Sequence, residues 1–230
     1  MYDRTIVGEI HTFGVSGKLI RNVLVMFDRE SDSLWSQLLG EAVDGPLLGT
    51  KLKPIAALQT TWGEWKKLHP DTLALAIGGP AYDSYVSYYS SNSAGVIGET
   101  FQDERLPRKE LVYGLVIDGQ AVVYPFSRLA EQRIANDTVA GQPVAVIFDP
   151  ATRTALAFRR EVDGQTLTFR PGDGEGATFV DEETGSTWAA LTGAAASGPL
   201  QGKGLERLPG TSSFWFGWKD FYPDTLVYGQ

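Results

Sequence analysis

The chemistry-bearing residues of this chain form small groups, and each can be weighed against a plainer reading. Gly14-Val15-Ser16-Gly17 approaches the Gly-x-Ser-x-Gly turn that presents a serine nucleophile. Lys18 stands where the second glycine belongs, so a simple turn is expected. The comparable stretch Arg170-Pro171-Gly172-Asp173-Gly174 has no serine at all. Asp28, Glu30 and Asp32 alternate like calcium-loop ligands, yet Ser33 replaces the loop glycine and Leu39 the closing glutamate, which predicts a solvated hairpin. His11 lies on a predicted strand before a glycine turn and is a lone candidate base; His69 is matched elsewhere by Tyr222, which predicts a packed ring. With no cysteine in 230 residues, disulfides, thiolate metal ligands and thiol nucleophiles are excluded. These residues predict no catalytic group, no metal site and no cofactor.

A sharper pointer comes from comparing the chain with itself. Residues 28–73 align without a gap with 181–226, and nineteen of the 46 positions are identical. Shared residues include Trp35/Trp188, Gly40/Gly193, Gly45-Pro46-Leu47/Gly198-Pro199-Leu200, Trp62/Trp215, Trp65/Trp218 and Pro70-Asp71-Thr72-Leu73/Pro223-Asp224-Thr225-Leu226. Residues kept by both copies read as scaffold, and the six matched tryptophans as core rather than a sugar-stacking platform. Polar residues kept by one copy are candidates for something else. Ser36, Gln37 and Glu41 become Ala189, Ala190 and Ala194, and Arg29 becomes Glu182. With Ser16 these form the candidate ligand-binding set Ser16, Arg29, Ser36, Gln37 and Glu41. The plainer account is drift of solvent-facing side chains, which exchange for alanine at little cost.

The elements that would position these residues are short. Val23 to Phe27 and Leu34 to Leu38 flank a polar loop and predict a hairpin; Lys51 to Thr60 reads as extended and irregular around Pro54. Trp62 to His69 predicts a two-turn helix started by Thr61 and Glu64 and stopped by Pro70. The second copy repeats this with Ser213 ahead of Trp215, Trp218 and Phe221, then Pro223. Strand-like exits follow at Thr72 to Ile77 and Thr225 to Tyr228. Gly78 to Asn92, with Tyr82, Tyr85, Tyr88 and Tyr89, reads as a surface linker whose tyrosines pack across both copies. From Leu111 strands resume at 112–117, 121–124, 143–148, 154–158 and 166–169, with turns at Asp118-Gly119 and Asp163-Gly164.

The expected fold is therefore mainly β, a β-rich α+β chain of two tandem modules of short antiparallel strands, each with one short Trp-bearing helix. Its parts are the C-terminal portion of module one at 1–77, a linker at 78–110 and a complete module two at 111–230. Copy two has about seventy strand-rich residues ahead of Asp181 and copy one only 27 ahead of Asp28, so module one reads as incomplete. Its open edge predicts closure borrowed from copy two, an oligomer or strand exchange. The net charge of −8 and pI near 4.8 disfavour nucleic acid and anionic lipid as partners. No apolar run reaches the ~20 residues of a membrane helix, and residues 1–5 do not form a signal peptide.

Thr12-Phe13-Gly14-Val15-Ser16-Gly17, Leu24 to Glu30, Ser33-Leu34-Trp35-Ser36-Gln37, Trp62 to Thr72, Asp103 to Glu110, Asn136-Asp137-Thr138, Pro143 to Val146 and Asp181 to Trp188 together resemble the uncharacterised bacterial and archaeal family called domain of unknown function 3179. The resemblance covers nearly the whole chain. It implies longer, often exported relatives with two such modules, whose first module carries a Trp-His-Glu stretch and a Cys-Pro-Leu-Cys run fit for a metal or redox site. Met1-Tyr2-Asp3-Arg4 is similar to the segment shortly after that cysteine pair, so the native start is expected to lie upstream. Two functions are expected from different classes. The first is an extracytoplasmic, non-catalytic binding or structural module acting on a small-molecule or protein ligand. The second is a metal-dependent or redox enzyme-like protein whose Cys/His site lies upstream.

Overall fold

The computed structural model describes residues 1–76, 85–172 and 178–230. In chain order, β1 (Thr5–Ile6) and β2 (Glu9–Ile10) form a hairpin across Val7 and Gly8, whose φ of 50° and 87° suit a tight two-residue turn. An antiparallel meander follows: β3 (Phe13–Ile20), β4 (Val23–Asp28), β5 (Leu34–Ser36) and β6 (Glu41–Asp44). Next come α1 (Trp62–Leu68) and α2 (Val86–Ser90). The second half opens with β7 (Leu111–Ile117), β8 (Gln120–Pro125), α3 (Phe126–Gln132), β9 (Ile134–Val139), β10 (Gln142–Asp149) and β11 (Thr154–Arg159). It continues with the hairpin β12 (Glu161–Val162) and β13 (Gln165–Thr166) and a second meander, β14 (Phe169–Pro171), β15 (Thr178–Asp181), β16 (Thr187–Ala189) and β17 (Ala195–Ser197). The chain ends with β18 (Arg207–Leu208), β19 (Thr211–Phe214), α4 (Trp215–Lys219) and β20 (Leu226–Val227). The protein is β-rich, as its short runs of branched and aromatic residues predict.

The second half is a stack of layers. Successive side chains of a strand face opposite ways. Tyr113 and Leu115 of β7 meet Val144, Val146 and Phe148 of β10, while Ala145 and Ile147 point the other way onto Phe169, Phe179 and Trp188 of the second meander. The sheet β18-β11-β10-β9 is thus covered on both faces, which explains its near-continuous apolar sequence. On the outer face of the sheet β19-β7-β8-β20, Val112 and Val123 pack against Trp215 and Trp218 of α4. Among the described residues, the first half has one small cluster: Ile6, Trp35, Ala42 and Leu52, flanked by Tyr2, Phe13, Met26 and Leu47.

Matched residues make matched bonds. The Trp35 indole donates to Asp28 Oδ2 at 2.8 Å, and Trp188 to Asp181 Oδ2 at 2.9 Å. Ser33 Oγ accepts from Leu47 N and Ser186 Oγ from Leu200 N, both at 3.0 Å. The Trp65 indole donates to Thr72 Oγ1 and Trp218 to Thr225 Oγ1, again both at 3.0 Å. Gly45 and Gly198, at φ 92° and 93°, press on Ser33 and Ser186 so closely that a Cβ would collide with either backbone.

Several sequence expectations need correction. Residues 14–17 are not a turn but an irregular part of β3, where the register with β4 shifts between Val15 and Leu19. Thr72 to Ile77 is not a strand: 72–76 are irregular, and Ile77 lies outside the described residues. Ser213 does not cap the second helix, because it belongs to β19 and Phe214 takes the cap position with no side-chain bond. The expected linker contains α2, and Tyr88 and Tyr89 of that helix pack against Phe214 at 6.3 and 6.2 Å. Its portion 78–84, with Tyr82, lies outside the described residues, as do Asp173 and Gly174. Of the Thr61–Glu64 capping box only one half forms: Thr61 accepts from Glu64 N at 3.3 Å, while the Glu64 carboxylate accepts from Lys67.

Module one leans on the second half of the chain. The Arg21 guanidinium donates to Asp220 O at 2.5 Å and lies between the Phe101 and Phe221 rings. Asn22 grips Val96 N, Ile97 N and Gly98 O. Leu58 packs against the core beneath Phe158 and Trp188.

Candidate functional site

β4 and β5 turn Leu24, Met26 and Trp35 toward one side of the first meander. Trp35 is sealed, but Leu24 and Met26 face a cavity of about 660 Å³ in the seam against β19. Apolar walls come from Phe13, Leu24, Met26, Leu38 and Leu52; polar ends come from Asn22, Gln37 and Thr211 to Ser213, with Met1 to Arg4 along the rim. A smaller cavity of about 410 Å³ adjoins it, sharing Met1, Tyr2, Leu38, Leu52 and Thr211 and adding Glu41, Lys51, Trp218 and Tyr222. Tyr2 stands where both meet. Its phenol donates to Gln37 O and Leu38 O at 2.9 Å, and burial, then the neighbouring Tyr222, push its pKa up to about 12. It stays a neutral donor at physiological pH.

A second register relates the start of the chain to the second half and accounts for the open seam here. At an offset of 156, β1 and β2 fall on β12 and β13, His11 on Leu167, and Tyr2 on Phe158. The bonds agree: His11 N donates to Arg4 O and Leu167 N to Arg160 O; Asp3 N donates to Lys53 O and Arg159 N to Glu206 O. Tyr2 covers Gly40 as Phe158 covers Gly193. In the second half, Phe158 and Ala190 are packed in one cluster with Ile134 of β9 and Ala145 and Ile147 of β10. The Ala190 counterpart, Gln37, is exposed at the cavity. The Gln-to-Ala difference thus tracks a packed face against an open one.

The five candidate residues are not brought together. Gln37 lines the larger cavity and Glu41 the smaller, where Glu41 also faces Lys51 at 3.9 Å. Ser36 is fully buried, with its hydroxyl oriented to Leu39 N at 3.4 Å. Ser16 Oγ donates to Val25 O at 2.5 Å within the β3 irregularity. Arg29 lies over the Phe27 ring and donates to Phe13 O at 2.9 Å, on the opposite side of β4 from Met26 by strand alternation. The residues that sequence reasoning missed are Met1 to Arg4, Asn22, Leu24, Met26 and Thr211 to Ser213. Similarity of Tyr2-Asp3-Arg4 to Phe158-Arg159-Arg160 was the available signal for the first of these.

A second group lies deeper. Asp28 is not solvated but wholly buried. Its Oδ1 accepts from Ser31 N at 2.6 Å and meets His11 Nδ1 at 3.0 Å; its Oδ2 accepts from Ser31 Oγ at 2.7 Å and from Trp35 Nε1. Burial alone would raise this carboxyl, but the bonds from Trp35, Ser31 and His11 together outweigh it and lower the pKa to about 2. His11, Asp28 and Glu30 offer ligand atoms within 4.8 Å of one another. Both Glu30 oxygens are held by Thr12, through its N at 2.7 Å and its Oγ1 at 2.8 Å. Asp181 accepts the same kinds of donor from Thr184 and Trp188, with Leu167 in place of His11. The carboxylate is a shared structural anchor, and His11 is an addition peculiar to module one.

His69 is exposed rather than packed, its ring resting 4.3 Å from that of Trp65, where Tyr222 lies 4.5 Å from Trp218. Among the described residues no helix is long and apolar enough to cross a membrane.

The description "Protein of unknown function (DUF3179)" matches residues 1–225, and the chain belongs to that family. No curated protein and no solved structure matches it.

Proposed function

With that membership as the premise, we propose that the protein is a non-catalytic binding module whose ligand seats in the seam between the first meander and β19. The observation that carries this reading is the cavity of about 660 Å³, within the range of small-molecule sites and walled by apolar side chains with polar groups at its ends. Gln37 and Asn22 supply amides, and Thr211 to Ser213 supply hydroxyls and the backbone of an edge strand. The ligand class that fits is neutral and mostly apolar, with hydrogen-bonding groups at its ends. Glu41, facing Lys51 in the adjoining cavity, extends the surface and favours a polar substituent there.

The chain supplies its own reporters. It has two methionines, Met1 and Met26, and both line the cavity. With ¹³C-labelled methionine methyls, titration with a panel of neutral apolar fragments is expected to shift both signals. Gln37→Ala is expected to weaken the best fragment's binding about tenfold, the loss of roughly one oriented hydrogen bond. A panel that moves neither methyl, or a fragment that binds Gln37→Ala and wild type alike, rejects the assignment.

A further inference from the structure

The two cavities of the seam meet at one side chain. Tyr2 lines both, whereas Ser212 and Ser213 border only the larger and Trp218 and Tyr222 only the smaller. The Tyr2 backbone is pinned by an antiparallel bridge to Pro54 and by the bond from Asp3 N to Lys53 O at 2.9 Å. Its side chain is held by the tip, where the phenol donates to the carbonyls of Gln37 and Leu38, both at 2.9 Å. The ring lies so close over Gly40 that a Cβ there would strike it.

The second half shows that this tip is not part of the shared scaffold. Phe158, the counterpart of Tyr2, covers Gly193 without a hydroxyl. The carbonyl of Leu191, the counterpart of Leu38, accepts instead from the Arg207 guanidinium, which lies 5.8 Å from the centre of the Phe158 ring. Arg207 is matched in the first half by Pro54, which offers no such donor. Phe158 is wholly buried, while Tyr2 borders open space on two sides. One matched position thus holds a sealed ring in one half and, in the other, a ring latched by its own hydroxyl between two chambers.

We infer that Tyr2 is the specificity-determining residue of the seam, an end wall that sets the length of the ligand, and that the ligand class is a chain-like neutral amphiphile with its polar head at Ser212 and Ser213 and its apolar tail stopping at the Tyr2 ring. This deepens the cavity reading and rests on it. Leu38 and Leu52 continue from the larger chamber into the smaller, so removing the ring joins the two along one apolar wall. Each methylene seated on that wall adds about fourfold in affinity, and a methylene that meets Tyr2 adds nothing.

The probes are the straight-chain primary amides from propanamide to decanamide, titrated into chain labelled at its methionine methyls and indole nitrogens. In wild type the affinity is expected to rise with length and then level off, with Met26 shifted by every amide that binds and the Trp218 indole by none. In Tyr2→Ala the rise is expected to run about three methylenes further, within the room of a chamber of about 410 Å³, and the longest amides are expected to shift Trp218 as well. Tyr2→Phe keeps the ring, as Phe158 does over Gly193, and loses only the latch; it is expected to let the longest amides reach Trp218. Folding of each variant is checked by the buried Trp35 and Trp188 indoles holding their wild-type signals, and Tyr2→Phe alone decides the matter if Tyr2→Ala fails that check. Amides that bind all three proteins with one common levelling-off length, or a wild-type affinity that rises with no break while Trp218 shifts, overturn the role of Tyr2 and leave the cavity reading standing. Failure of every amide to shift Met26 in wild type rejects the cavity reading itself, and the role of Tyr2 with it.

Discussion

Replacing Asp28 by asparagine tests the buried anchor of module one quantitatively. Each carboxylate oxygen receives two contacts, Ser31 N and His11 Nδ1 on one and Ser31 Oγ and Trp35 Nε1 on the other. An amide nitrogen in place of either oxygen strands at least one buried donor and replaces charge-assisted bonds by neutral ones. At pH 7 the expected loss is ~3–4 kcal/mol. Part of it depends on pH. The Asp28 pKa falls from 3.8 to about 2 on folding. Each tenfold drop in proton affinity is worth ~1.4 kcal/mol, so this fall contributes ~2 kcal/mol of stability. A depressed carboxyl stabilises above its unfolded pKa, and the contribution disappears as pH falls through 3.8 toward 2. Urea denaturation of wild type and Asp28→Asn, followed by tryptophan fluorescence at pH 7, 5, 4, 3 and 2.5, should show a gap that is constant down to about pH 5 and then narrows by ~2 kcal/mol. Other carboxyls titrate in both proteins and cancel in the difference. A gap that keeps its size at pH 2.5, or one under ~1 kcal/mol at pH 7, refutes the reasoning.

Two further substitutions use the paired design of the chain. Lys219→Met removes a wholly buried ammonium from beside Glu99 and should cost ~3–5 kcal/mol in urea denaturation, whereas Lys66→Met at the matched exposed position should cost less than ~1 kcal/mol. Equal costs would mean that the two helices are not differently covered. Gly114→Ala drives a Cβ into the Trp218 indole and should destabilise by ~1–3 kcal/mol, a fall in Tm of roughly 3–10 °C in a chain of this size. An unchanged Tm would show that α4 is free to shift away from the sheet.

The sequence disclosed scaffold far better than site. All six matched tryptophans read as core because both copies keep them; Trp35, Trp188, Trp215 and Trp218 are buried, but Trp62 is 51% exposed and Trp65 half-buried. Glycine turns such as Asp118-Gly119 and Asp163-Gly164 marked hairpins because their φ values are positive, and the capped start of α1 followed from Thr61. What failed was longer-range. That Asp28 is buried depends on Trp35 and His11 arriving from other strands, and no local pattern separates such a carboxylate from a solvated loop acid. Ser36 and Gln37 are adjacent and changed together to alanine, yet one faces the interior and the other the seam, as strand alternation requires. Met26 and Ser213 meet across the cavity from 187 positions apart, beyond the reach of any periodicity.

The Arg21 clasp bears on the order in which the molecule assembles. Arg21 and Asn22 form the tip of the β3–β4 hairpin, both with positive φ, and the bond from Arg21 to Asp220 spans 199 positions. A contact so distant in sequence closes a long loop, and its entropic cost is met only once Phe101, Phe221 and the Asp220 backbone are already fixed. The layered second half is therefore expected to form first, as a template on which the leading meander settles. Unlatching runs in reverse, so hydrogen exchange would begin at 1–52 while the β10–β11 amides remain protected.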